Sequence, residues 1–447
     1  MDFQTRLFGT RFRLYPQPVV PGSAQESEIV SLSSPAGTVG PGPSDERLYV
    51  IKPVDKLAPY GLALTSYGTP VLYLPPWQGP ILPPALPDAN GHFDHLDLGS
   101  PEFASAHAYG CVRFVLDVWE RYFGRPIEWH FRSTNEQLEI GLLPGWDNGH
   151  VGWGFMELGG HTDKEGAFLP FSLSFDTIAH ELGHLIIYRE VGIPPLDSVE
   201  NEYFGFHEAA GDLTALVAVL HFDSVVTRLL EMTRGNLYTF NELNRFAELG
   251  EDEQIRIAGS DIKLSAFASG WTDEHDLSKP LTGALFDIFV DIFHESLLER
   301  GLISPEVEEL ADRVQYVPQY EPLIQALFDD AYAADPGAFS EALHDARDDL
   351  GHVLAQTWQR LPATSLNYED VAAVVLDVDL ELTGGRYQRL MRNNFLWREI
   401  GLIRAGPRLA PPGDESHAVS ARTITPESQP ARRPLCYRER WQLARRA

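Results

Sequence analysis

FDTIAHELGHLIIYREVG, residues 175–192, carries two histidines four positions apart, with a glutamate directly after the first. Apolar side chains recur through the stretch at helical spacing and a glycine closes it, so it reads as one helix near 174–190. Residues four apart on a helix lie nearly one above the other, about 6 Å along the axis. His180 and His184 can therefore offer ring nitrogens to a single ion, and Glu181 projects to the side where an activated water would stand. The plainer alternative is an ordinary helix holding two coincidental histidines. A catalytic zinc needs one more protein ligand and an open position, so the choice rests on whether the rest of the chain can supply that ligand.

The next helical stretch, FGFHEAAGDLTALVAVL at 204–220, holds Glu208 and, one turn later on the same face, Asp212. Both carboxylates sit among apolar or small residues, and burying them is costly unless something compensates their charge. A zinc ion on His180, His184 and Glu208 would do so, with Asp212 accepting a hydrogen bond from a ligand imidazole and fixing its tautomer. An exposed acidic stripe is the competing reading, but LTALVAVL leaves little solvent face for one.

The pair HELGH and HEAAGD resembles the signature of the thermolysin-like, gluzincin zinc metallopeptidases, in which HExxH is followed some twenty-odd residues later by a helix reading NExxSD. FDTIAHE is similar to the family's DVVAHE. WDNGHVGWGFMELGG at 146–160 resembles its NNAFWNGxxMxYGDG segment, with Asn148 and Met156 at the spacing of its Asn and Met. DEHDLSKPLTGALFDIF at 273–289 keeps its H-x-x-S spacing. The resemblance covers roughly residues 100 to 350. It implies a two-lobed α+β zincin: a strand-rich N-terminal lobe carrying the active-site helix, and a mainly helical C-terminal lobe.

For the site, the resemblance implies a zinc-dependent peptidase acting on a peptide or protein substrate, with Glu181 as general base. His275 stands where the family has the histidine that stabilises the oxyanion, and Tyr203 is a second candidate donor. Asn148 matches the asparagine that binds substrate backbone, and Arg256 is a candidate for the arginine that partners the histidine. The departures are equally specific. HEAAGD replaces the usual Asn-Glu and Ser-Asp, and the edge motif lacks the aromatic pair after its asparagine. Asp176 matches a calcium-binding position, but Val219 stands where the next carboxylate belongs, so the double calcium site is not carried over. No long inhibitory segment precedes the domain in this sequence, which keeps open a second reading: a zinc-binding partner protein on the same scaffold with little or no hydrolysis.

Among the remaining histidines, His207 points about 100° away from Glu208 on a helix and reads as a packing or outer contact. His150 and His161 fall in loops beside the expected cleft, with Trp146 and Trp153 as its wall. Composition agrees with a globular protein. The formal charge of -29 argues against a nucleic-acid partner or an anionic membrane. From Arg404 to Ala447 nine arginines face Asp414, Glu415, Glu427 and Glu439, a balance of 9 − 4 = +5. Cys111 and Cys436 exclude a disulfide framework. No stretch is apolar and long enough for a signal peptide or a membrane span, so a cytoplasmic address is the default, with leaderless export as the alternative.

Four regions are expected: an irregular, Pro/Gly/Ser-rich arm over 1–46, an α/β lobe with the HExxH helix over 47–192, a helical lobe over 193–400, and a basic, proline-rich mobile tail over 401–447. Strands are expected at 48–54, 69–76, 127–131 and 138–143. Helices are expected at 101–124 and near 204–222, 280–299, 305–316, 319–333, 336–360 and 384–395.

Overall fold

The computed structural model describes the chain apart from residues 1–2, 18–25, 57, 65–69, 163–165, 167, 196–198, 240, 242, 244, 249–253, 258–259, 314–317 and 402–447. The basic tail therefore lies outside the described residues. The fold is α+β, with strands and one long helix in the first part and mainly helices from residue 175 on.

The central sheet has the strand order Leu48–Ile51, Leu138–Leu142, Phe155–Leu158, Gly149–Gly152. Its first three strands run parallel and the fourth antiparallel, which leaves Gly149–Gly152 at an edge. The two middle strands are buried on both faces, as strands covered by helix and loop layers must be. Two of their buried residues are acidic. Glu139 accepts from the Tyr49 and Tyr60 hydroxyls at 2.7 Å each and from Trp77 N at 2.9 Å. Glu157 accepts from the Lys56 ammonium and from Tyr60 N, and pairs with His150 Nε2 at 2.6 Å. The desolvation cost of both carboxylates is thus met by a chain segment folded over the sheet.

The stretch expected to be an irregular arm contains two strands, Gly9–Leu14 and Glu28–Pro35, paired antiparallel. Phe12, Leu14, Val30 and Leu32 bury their side chains there. Proline and glycine averaged over the intervening loops mask two short alternating strands. The reverse happens at 127–131, where Ile127, Trp129 and Phe131 alternate inward as in a strand but, among the described residues, no neighbouring strand pairs with them. Burial and side-chain hydrogen bonds fix that segment, with the Trp129 indole donating to Arg47 O and Ile127 N donating to Glu120 Oε1, each at 2.9 Å.

Helix Pro101–Phe123 begins with proline in its first turn and Ser100 Oγ accepting from Phe103 N at 3.0 Å, and Gly124 ends it. It is buried over most of its surface, and Trp119 stacks on Trp358 at 4.5 Å, tying it to helix Pro336–Arg360. One continuous apolar core runs through both halves of the molecule.

The helix expected from Pro280 begins six residues earlier, as Glu274–Glu299, with Pro280 inside it. Proline forfeits one backbone bond in a helix interior. The cap by Asp273 and the burial of Glu274 and Leu277 outweigh that loss, and His275 is thereby set on a rigid first turn. Helices Asp223–Thr233 and Tyr368–Thr383, and the hairpin Arg245–Glu248 with Gln254–Ile257, are further elements beyond those expected from the sequence. Among the described residues no single helix is long and apolar enough to cross a membrane.

Candidate metal centre

Two helices build the site. In Phe175–Glu190, Ser174 Oγ accepts from Thr177 N at 3.3 Å, and Asp176 lies in the first turn, where the helix dipole favours an acid. Asn201–Val219 lies against it, apolar and buried along almost its whole length. The two backbones meet at a pair of glycines. A Cβ on Gly183 would stand 2.8 Å from Gly211 Cα, and one on Gly211 would stand 2.5 Å from His180 Cε1. Only a residue without a Cβ permits this approach, and the approach brings the histidines of one helix within reach of the acids of the other.

His180 Nε2 lies 3.3 Å from Glu208 Oε2, and His184 Nε2 lies 3.7 Å from Glu208 Oε1. The far nitrogens are held from behind. His180 Nδ1 is 3.0 Å from Asp212 Oδ1, and His184 Nδ1 is 2.7 Å from His207 Nδ1. The ligand-type atoms of His180, Glu181 and His184 lie within 4.8 Å of one another. Glu208 is 4% exposed, Asp212 5% and Glu181 9%, so three carboxylates share one buried spot.

This donor set fits a zinc ion. Asp212 accepts from the Nδ1 side of His180, which leaves Nε2 as the ligand-type atom facing Glu208. Burial pushes the His207 imidazole down to about 3, so at neutral pH it is uncharged and its Nδ1 can accept the proton of His184 Nδ1. The His184 Nε2 lone pair is then also directed at Glu208. Two ring nitrogens and a carboxylate converging on one point form a donor set that a cation between them would complete. The 3.7 Å separation is too long for a hydrogen bond. Both separations instead approach the edge of a tetrahedron around zinc, about 3.3 Å for bonds of about 2.0–2.1 Å.

The remaining expected residues divide. His275 joins the cluster: its Nε2 is 3.2 Å from Glu208 Oε2, and its Nδ1 is 2.8 Å from Asp273 Oδ1, the same oxygen that accepts from His275 N at 2.9 Å. Tyr203 is fully buried and turned away, its hydroxyl donating to Gly192 O at 2.9 Å and its ring against His207. That hydroxyl supports the rear of the site. Asn148 immediately precedes the edge strand and its carbonyl accepts from Gly159 N at 2.9 Å. A methyl group on the next residue, Gly149, would lie 3.5 Å from Glu181 Oε1, so the edge strand begins beside the glutamate. Met156 is buried in the adjoining strand. Arg256 lies in strand Gln254–Ile257 opposite Phe246, and its side chain is outside the described residues.

Sequence reasoning passed over Asp273, which locks His275, and the Glu139 and Glu157 cluster under the edge strand. An acid inside the apolar strands LEIGL and FMEL was the available signal, because a buried carboxylate has to find partners. His150, expected in a loop, belongs to the edge strand and turns inward to Glu157.

No family model matches the chain, and no curated protein matches it. Among solved structures, the precursor of protealysin, a metalloproteinase from Serratia proteamaculans, matches with a TM-score of 0.42 and 10% identity, over 73% of this chain and 83% of that one.

Proposed function

We propose that the chain is a zinc-dependent metallopeptidase of the gluzincin type, hydrolysing a peptide or protein substrate. The observation that carries this reading is the convergence of His180, His184 and Glu208 on one point, with Asp212 behind the first histidine and Glu181 within reach. A zinc ion held there supplies Lewis acidity and acidifies water toward neutrality.

The protein's own groups do the rest. Asp212 and His207 fix the far nitrogens of His180 and His184, so the Nε2 of each is oriented toward the ion. Glu181, nearly buried and beside the edge strand, accepts the proton of the attacking water and passes it to the leaving amine. The outer side of Gly149–Gly152 offers main-chain groups to an extended peptide, which would add to the sheet beside Glu181. His275, oriented by Asp273, is the candidate donor to the carbonyl oxygen. Tyr203 in this scheme positions His207 and takes no part in the chemistry.

A second reading, a zinc-binding partner protein without efficient hydrolysis, is favoured by how closely His275 approaches Glu208. Zinc content of the wild type and of Glu208→Ala, followed by a peptide-library assay with Glu181→Gln, separates the readings. About one zinc per chain, lost in Glu208→Ala, with cleavage abolished in a zinc-replete Glu181→Gln, supports the peptidase. Zinc binding without any cleavage by the wild type selects the second reading, and a wild type that takes up no zinc removes both.

A further inference from the structure

We infer that in the resting protein His275 is a fourth protein ligand to the ion, closing the site as three histidines and one glutamate. The inference rests on the zinc reading above and concerns only what occupies the remaining coordination position.

Three observations carry it. His275 Nε2 stands 3.2 Å from Glu208 Oε2, the oxygen that lies 3.3 Å from His180 Nε2. Both separations match the about 3.3 Å edge expected between two ligands of one tetrahedral zinc. His275 is also backed by Asp273 as His180 is backed by Asp212, with Nδ1 to carboxylate distances of 2.8 and 3.0 Å. A carboxylate behind Nδ1 leaves Nε2 as the lone-pair atom and raises its basicity, the usual arrangement of a ligating histidine. Finally, Asp273 Oδ1 accepts from both the backbone and the ring of His275, so the imidazole is aimed by the first turn of Glu274–Glu299.

The chemical consequence is a latent centre. A tetrahedral zinc with four protein ligands has no position for water, which characterises structural sites. The His275 side chain is 41% exposed, whereas those of His180 and His184 are 6% and 11% exposed. It therefore sits at the mouth and is the most exposed of the three histidines, the one a bound molecule can reach. A substrate carbonyl that displaces Nε2 from the ion while His275 keeps its Asp273 contact would vacate the fourth position and leave the imidazole beside the carbonyl oxygen.

Zinc K-edge X-ray absorption on the zinc-loaded full chain decides the matter by counting imidazoles. The expected result is three in the wild type and two in His275→Gln, with one zinc retained. Zinc affinity in that variant should fall by more than the roughly 10–100-fold that loss of an outer partner costs. Two imidazoles in the wild type with one zinc bound would overturn the fourth ligand and leave the zinc reading standing. Absence of bound zinc would overturn both. The wild-type count alone discriminates if the variant does not fold.

Discussion

Asp212 and His207 show how much of the proposed metal site lies one layer behind the residues that would hold the ion. Each fixes the tautomer of one histidine, and each does so from the same helix that supplies Glu208. Asp212→Ala should weaken zinc binding about 10–100-fold while leaving the ligand set intact, measured by competition with a chromogenic chelator. His207→Leu should do the same, and His207→Asn, which keeps an acceptor, should lose much less. Equal affinity in His207→Leu and wild type would mean that the contact between the two Nδ1 atoms does not orient His184. Asp212 is legible in the sequence because an acid one turn from Glu208 in an apolar helix has few alternative roles. The specific task of His207 is not, since helical angle alone says only that it points away from Glu208. Whether it meets solvent, packing or His184 depends on the crossing of two helices.

That crossing is set by elements, and Gly183 and Gly211 set it. Gly211→Ala drives a methyl group into the His180 ring, and the adjustment should cost about 1–3 kcal/mol of stability together with much of the zinc affinity. Thermal unfolding with and without zinc measures both. Unchanged values would show that the helices can part without consequence. The motif helices were readable because apolar periodicity and functional spacing coincide in them. Elsewhere local signals conflict. Pro280 reads as a helix start, yet it is tolerated inside Glu274–Glu299 because the Asp273 cap and core burial outweigh one lost bond. Tyr368–Thr383 contains VLDVDLEL, whose alternation mimics a strand, yet Asn367 caps it as a helix with its side chain accepting from Asp370 N at 2.9 Å. At 127–131 a strand-like alternation has, among the described residues, no strand to pair with. Tertiary packing decides each case, and a single sequence does not contain it.

For the whole molecule, a net charge of -29 was legible, but which acids and histidines the fold would bury was not. His107 and His294 are fully buried in apolar surroundings, and burial lowers them to about 4 and about 3. His107 nevertheless has work as a neutral ring, with Nε2 accepting from Tyr15 N at 3.0 Å and Nδ1 donating to Ser172 O at 2.8 Å. Both folded values lie below the unfolded value of about 6.5, so between those limits the unfolded chain binds more protons. The stability these rings contribute is therefore fully present above about pH 6.5 and is lost as pH falls toward 4. Each adds at most on the order of 1 kcal/mol per pH unit. Glu202 acts in the opposite sense: burial raises it to about 7, so acidification from there toward its ordinary value favours the fold. His130, lowered by burial to about 4, and His221 and His344, also lowered by burial, join the two histidines, and they outnumber the raised carboxyls of Glu202 and Asp349. Urea unfolding of the metal-free protein should accordingly show lower stability at about pH 5 than at about pH 7.5, and His294→Gln should lose less over that interval. Stability that stays level or rises on acidification would mean that these imidazoles gain partners for their charged form inside the fold.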